Sequence, residues 1–288
     1  MGGISLTTNM SSLNTQRLLA KANEEVGKSF NRISSGDKIA GPEDGNVTLI
    51  QSENLRSDVA AMKQGARNLK KGESLLKMAE GALNELSAIL LRSRGLASQA
   101  ANGTLAETER RAINLEYQTV KNEIDRIVGA TEYNGTYLLN GTLSKGAEEH
   151  IVLQAGRDAS AHNQIDLNEL SNLTDVSTSG LGIKDSELTS QASAFLALND
   201  LTKAIDTVLG IRARVGTTQL KTIHAKDGIE SQVEGLTEAV STIRDTDLAE
   251  ELTNFTKQQL LVQSGSAMMG QGNISQQAAI TLLEEVII

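Results

Sequence analysis

Residues 55–100 read LRSDVAAMKQGARNLKKGESLLKMAEGALNELSAILLRSRGLASQA, and one row within this stretch decides the fold. Every seventh position from Leu55 is apolar: Leu55, Met62, Leu69, Leu76, Leu83, Leu90 and Ala97. A second row runs beside it, Val59 and Ala66 giving way to Ala79 and Leu86. The three-and-four alternation is that of a helix packed against partner helices. The pattern predicts one helix over 47–100. About 55 residues rising 1.5 Å each extend for about 80 Å, whereas a compact globule of this chain length is roughly 50 Å across. The expected molecule is a mainly α, elongated helical rod of long coiled-coil-like helices.

Outward from this row the same spacing recurs. Asn102-Gly103 breaks the first helix, Thr104 and Glu107 stand at capping-box spacing, and Ile113, Tyr117, Val120, Ile124 and Ile127 form a second stripe that stops at Gly129. A third begins at Leu198, Leu201, Ile205 and Val208 and resumes as Ile229, Val233, Leu236, Val240 and Ile243. These predict a third long helix, less regular around Arg212 to Ala225, with Gly210, Gly216 and Gly228 leaving its straightness there open. Residues 130–190 lack the period. Asn134-Gly135, Asn140-Gly141, a strand over His150–Gln154, a turn at Gly156–Ala159 and a run from Gln164 to Leu167 predict a small β-hairpin region, too short to be a domain. The expected rod core is Leu55, Met62, Leu69, Leu76, Leu83, Leu90, Ile113, Val120, Ile124, Ile127, Leu201, Val208, Leu236 and Ile243.

Each end reads as one amphipathic helix. Residues 4–35 carry Leu6, Met10, Leu13, Leu19, Val26, Phe30 and Ile33, and are closed by Ser34-Ser35-Gly36 and the loop Gly41–Gly45, which holds the single proline. The other end carries Leu248, Leu252, Phe255, Val262 and Met269, then Leu282, Leu283, Val286, Ile287 and Ile288. The domain expectation is residues 1–44 with 245–288 as a paired terminal-helix coiled coil, and 45–244 as a helical rod with the hairpin region at about 130–190. No separate outer domain is expected.

Composition removes most chemistry. Of 288 residues 39% are hydrophobic but only 2% aromatic, so aliphatic side chains must build the core. With no cysteine there is no disulfide scaffold, thiolate metal site or cysteine nucleophile. A net charge of −9 without a long basic run argues against nucleic acid as a partner. No run is apolar enough for membrane insertion, and the first thirty residues lack the apolar core of a signal peptide. His150, His162 and His224 are too far apart to show ligand spacing, so no metal is expected. No phosphate-cradling glycine loop, dinucleotide fingerprint or nucleophile elbow is present, so neither a cofactor nor catalysis is expected.

Several phrases resemble bacterial flagellin. Asn31-Arg32-Ile33-Ser34-Ser35-Gly36 is similar to the family's signature after its first helix. Glu80–Leu86 leading to Leu90–Ala97 resembles its long second helix, and Asn122–Ile127 through Tyr133-Asn134-Gly135 its helix-to-hairpin join. Ile243–Glu251 and Gln258–Met268 resemble its C-terminal helix, in the expected order. The resemblance implies a subunit that polymerises with itself into the helical filament of the bacterial flagellum. It also implies export without a cleaved signal peptide through the type III apparatus, with an export chaperone on the C-terminal helix. Hook-associated and cap proteins are further implied partners. A Toll-like innate receptor would be met through Arg92, Leu96 and Glu116, residues for which pairing between subunits or within the bundle is the alternative. Two other readings stay open: a hook–filament junction protein, and a cytoplasmic coiled-coil scaffold.

The stripes alone reach a compatible place. The terminal helices have only each other to pack on, and isolated helices are marginal in water. Residues 1–40 and 248–288 are therefore expected to be largely unstructured in the monomer and to fold as copies stack. The expected polymerisation seam is Leu6, Met10, Leu13, Phe30, Ile33, Leu248, Leu252, Phe255, Val262 and Met269. Head-to-tail contacts of this kind do not close and so generate a filament.

Overall fold

The computed structural model describes residues 10–39, 41 and 45–286, and of Ser11, Gln276 and residues 279–286 the backbone alone. Leu6, the connector residues 42–44, Ile287, Ile288 and the side chains of Leu282, Leu283 and Val286 lie outside the described residues. The fold is mainly α. In chain order come α1 (Met10–Ser35), α2 (Asn46–Ala100), α3 (Glu107–Ala130), β1 (Glu132–Tyr133), β2 (Thr136–Tyr137), β3 (Val152–Gln154), β4 (Gln164–Asp166), α4 (Leu167–Ser171), α5 (Gln191–Arg244) and α6 (Leu248–Val286). No helix among the described residues is long and apolar enough to cross a membrane. The chain divides into two compact units, one built from residues up to Arg56 and from Leu236 onward, the other from Ser57–Gly235.

In the Ser57–Gly235 unit the seven-residue row of α2 is the core: Leu69, Leu76, Leu83 and Leu90 are fully buried, and Ala79 and Leu86 of the second row join them. Met62 is partly buried against the same cluster. α3 contributes Ile124 and Ile127, with Ile113 and Val120 packed at its margin. α5 contributes an unbroken three-and-four row: Ala194, Ala197, Leu201, Ala204, Val208, Ile211, Val215, Thr218, Thr222. The stretch that looked irregular in sequence is thus continuous helix, and the glycines do not interrupt it. Its row is carried by threonines whose hydroxyls donate to carbonyls one turn back, Thr218 to Arg214 and Thr222 to Thr218, both at 2.8 Å. Satisfied in this way, a hydroxyl can be buried at little cost. Leu55, Leu236 and Ile243 belong to the other unit and are half-buried there.

The start of α3 corrects the capping expectation. The helix begins at Glu107 after the extended residue Ala106, whose N–H is accepted by Glu109 at 3.0 Å. Thr104 instead donates its N–H to Asn102, in a tight turn. Along α3, Asn114, Tyr117, Lys121 and Asp125 form a polar stripe that anchors residues 178–188. Asn114 accepts from the Leu188 N–H at 2.8 Å, Tyr117 pairs with Ser186, and Asp125 accepts both the N–H and the hydroxyl of Thr178. The buried Lys121 ammonium donates to the carbonyls of Lys184 at 2.7 Å and Ser186 at 2.9 Å. Burial lowers its pKa, partly opposed by Glu187, Asp185 and Asp125.

Two antiparallel hairpins are present among the described residues, β1 with β2 and β3 with β4. The first turns at Asn134 and Gly135, with φ of 52° and 81°, the left-handed pair that a two-residue hairpin requires. The second is shorter at both edges than expected, Val152–Gln154 with Gln164–Asp166, and lies on α2. Two glycines seven residues apart make room for it. A Cβ at Gly65 would stand 1.9 Å from the Ala155 carbonyl oxygen, and one at Gly72 would stand 2.2 Å from Leu153. Asn68, between them, donates to the Gln154 carbonyl at 3.1 Å. On the outer edge His150 pairs with Asp166, an interaction that raises the imidazole pKa above 6.5.

Gly65→Ala is expected to destabilise the chain by about 1–3 kcal/mol, because backbone must move to admit the methyl group. Gly81→Ala, where the added carbon meets nothing, should stabilise it by about 0.5–1 kcal/mol. Chemical denaturation of the two variants checks both signs. For His150, nuclear magnetic resonance titration should place the imidazole above 6.5 and Asp166→Asn should return it. Its contribution to hairpin stability is complete below that ordinary value and is lost as pH rises through the raised one.

Candidate assembly surface

The unit formed by the two ends of the chain pairs α1 antiparallel with α6: Arg32 lies 3.8 Å from Glu251, and Leu19 meets Gly265 further along. On α1 the covered positions are Ser12, Thr15, Leu19, Ala22, Val26, Ser29 and Ile33; on α6 they are Glu251, Phe255, Gln258, Val262, Gly265, Met269 and Gly272. Both rows alternate by three and four, the spacing of a two-helix seam. Half of their members are small or polar, so little apolar area is buried.

The larger side chains point elsewhere. Met10, Leu13, Leu18 and Phe30 on α1, and Leu248, Leu252, Leu260, Leu261, Met268 and Ile274 on α6, are each at least 50% exposed. Single exposed leucines are ordinary, but ten large apolar side chains exposed on one helix pair mark an interaction surface. Between the helices Leu18, Leu19 and Ala22 face Leu261, Gly265 and Met268 across an apolar groove of about 340 Å³.

The expected seam thus separates into two. Ile33, Phe255, Val262 and Met269 sit half-buried on the rows where α1 and α6 pair, while Met10, Leu13, Phe30, Leu248 and Leu252 remain exposed. Leu18, Leu260, Leu261, Met268 and Ile274 were missed in the sequence. For Leu18, Leu261 and Met268 the signal is a position one before the pairing row, beside Leu19, Val262 and Met269; Leu260 and Ile274 carry no such spacing.

Connectors at the base of the pair are tied together. Asp37 and Asp245 form an antiparallel bridge, and the Thr246 N–H donates to the Gly36 carbonyl at 2.9 Å. Arg244, the last residue of α5, donates to Asp37 at 2.9 Å and also to Glu53 on α2. Asp247 then caps α6, accepting from Ala249 at 2.9 Å and Glu250 at 3.2 Å. In the other unit Arg92 pairs with Glu116 at 2.7 Å across α2 and α3, both largely exposed, whereas Leu96 beside them is buried. No cluster of three or more metal-ligating side chains occurs among the described residues.

Comparison with known proteins gives this arrangement a context. Residues 6–144 match the family described as the bacterial flagellin N-terminal helical region, and residues 198–283 match the bacterial flagellin C-terminal helical region. The chain is 33% identical to the flagellar filament 30.7 kDa core protein of Treponema maltophilum, over 96% of this chain and 98% of that protein. It is also 33% identical to flagellin of Bacillus subtilis, with the same coverage. A solved flagellin structure from Bacillus cereus covers 60% of this chain and 94% of its own, at 31% identity and a TM-score of 0.49.

Because the Arg92–Glu116 pair is solvated, Arg92→Ala is expected to change stability by no more than about 1 kcal/mol. A denaturation midpoint well below that of the parent chain would contradict this.

Proposed function

The chain belongs to the bacterial flagellin family, and we infer that it is a structural subunit of the bacterial flagellar filament, the extracellular polymer used for swimming. Agreement with filament proteins over nearly the full length favours this over a hook–filament junction protein or a cytoplasmic scaffold. One observation carries the mechanism: Met10, Leu13, Leu18 and Phe30 of α1 and Leu248, Leu252, Leu260, Leu261, Met268 and Ile274 of α6 stay exposed outside the seam that joins these helices.

On this reading the terminal segments form the inner core of the filament and residues 45–244 its outer helical layer. The exposed row of one copy is covered by the helices of its neighbours. Since the seam within one copy buries so little, helix order at the ends depends on assembly, and polymerisation is folding coupled to binding. Contacts between unlike surfaces on successive copies propagate without closure, as a helical filament requires. The subunit would leave the cell through the type III export apparatus without a cleaved signal peptide. An export chaperone would cover the apolar α6 beforehand, and hook-associated and cap proteins would bound the polymer. Recognition by a Toll-like receptor would engage the charged pair Arg92 and Glu116 rather than Leu96, which is 9% exposed.

Salt-induced assembly followed by electron microscopy tests the reading: the purified chain should form long filaments alone. Leu261→Ser combined with Met268→Ser removes about 2 kcal/mol of burial per added subunit, so the critical concentration should rise roughly thirtyfold. Limited proteolysis of the monomer should cut residues 10–39 and 248–286 well before 57–235. Equal resistance of ends and middle, or an unchanged critical concentration, would overturn the mechanism.

A further inference from the structure

The pairing row specifies that α1 and α6 meet, but it specifies their register poorly. Ser12, Thr15 and Ser29 on one helix, with Gln258, Gly265 and Gly272 on the other, could slide by one heptad and lose little apolar contact. Charge corrects it only at the base of the pair, where Arg32 lies 3.8 Å from Glu251, because residues 258–283 contain none. The groove of Leu18, Leu19 and Ala22 with Leu261, Gly265 and Met268 belongs to the observed register. Contacts at that base must select it.

We propose that Arg244 is the register pin of the terminal helix pair. Its position is singular. It ends α5, its guanidinium holds Asp37 just beyond α1 and Glu53 on α2, and its carbonyl accepts the Lys38 N–H. Its side chain is only 12% exposed, so these contacts are less screened than surface pairs. With the Asp37–Asp245 bridge it fixes which residue after α1 faces which residue before α6. Arg32 and Glu251, one turn further along each helix, carry the same alignment into the seam. Gly36, at a φ of 75°, lets the chain leave α1 in the direction this bridge needs. A polar contact that selects one alignment among near-equivalent apolar ones is the best-attested use of a partly buried charge. The helices then zip outward from the pin, presenting α1 and α6 side chains as one composite face. This inference rests on the filament reading above.

Engineered disulfides read the register directly, because the chain has no cysteine of its own. A Cβ at Gly265 would lie 3.9 Å from that of Leu19, within the separation a disulfide spans. Leu19→Cys with Gly265→Cys reports the observed register; Leu19→Cys with Gly272→Cys or Gln258→Cys reports a slip of one heptad. The full chain is oxidised as polymer, and variants that do not assemble are oxidised in concentrated sucrose, which favours the folded pair. In the parent only the first pair should close. Arg244→Gln should reduce its yield relative to the slipped pairs roughly tenfold, with Asp37→Asn acting in the same direction. Either variant should raise the critical concentration for assembly, and a preformed 19–265 disulfide should restore it. That rescue separates alignment from general stability.

The proposal is overturned if Arg244→Gln cross-links and assembles like the parent, or if the locked register fails to rescue assembly. Loss of the 57–235 helices in both variants, seen by circular dichroism, would also overturn it, because Arg244 would then serve the whole fold. A parent that never polymerises, together with an Arg244→Gln variant that still shows the register shift in sucrose, would count against the filament reading and not against the pin.

Discussion

An apolar row on a helix has to be covered by another element, and the described residues supply more apolar row than cover. In the Ser57–Gly235 unit three long helices and a return segment close over one another, and Leu69, Leu76, Leu83 and Leu90 leave water completely. At the ends one row of each helix is spent on the pairing of α1 with α6, and Leu18, Phe30, Leu261 and Met268 outside it stay in solvent. A two-helix pair has no third element to cover these side chains, and on the filament reading that cover comes from other copies.

The division of labour extends to side-chain type. The closed unit uses large aliphatic residues on α2 and small ones on α5, where Ala194, Ala197 and Ala204 allow close approach. Where a large charged group is buried its partners are fixed, as with Lys121 against the 184 and 186 carbonyls. Glycine is used for approach as well as for turns: Gly65 and Gly72 admit the second hairpin against a helix that would otherwise present methyl groups to it. In the terminal pair the inner rows mix Leu19, Val26, Ile33, Phe255, Val262 and Met269 with small and polar residues, while ten large apolar side chains stay outside them, unlike the seam of a self-sufficient coiled coil. Such a pair is poorly stable alone and is well suited to order that arrives with assembly.

Much of this was legible in the chain itself. The helices α2 and α5, the double-ended arrangement of amphipathic termini and the Asn134-Gly135 turn follow from spacing and turn chemistry. Phrases such as Asn122–Ile127 pointed to the family. Other features were hidden for identifiable reasons. Thr218 and Thr222 count as polar in a hydropathy pattern, although their hydroxyls are consumed by the helix backbone. The start of α3 was placed too early because Thr104 and Glu107 have capping-box spacing, while the backbone selects Ala106 and Glu109. Ile33, Phe255, Val262 and Met269 could not be separated from Phe30 and Leu252 by pattern alone, since periodicity gives the angle between rows and not the identity of what each row faces.

Sequence by itself determined most of the helical residues, where the chain turns, that aliphatic rows build the core, and which family it belongs to. These are local or cumulative properties, set by three-and-four spacing, by glycine and proline placement and by side-chain inventory. Only the tertiary structure decided which of two adjacent rows α1 and α6 give to each other, that Asn114, Tyr117, Lys121 and Asp125 bind a segment more than fifty residues downstream, and that Arg244 joins Asp37 to Glu53. Such contacts join positions far apart along the chain, and their geometry exists only after the helices have packed.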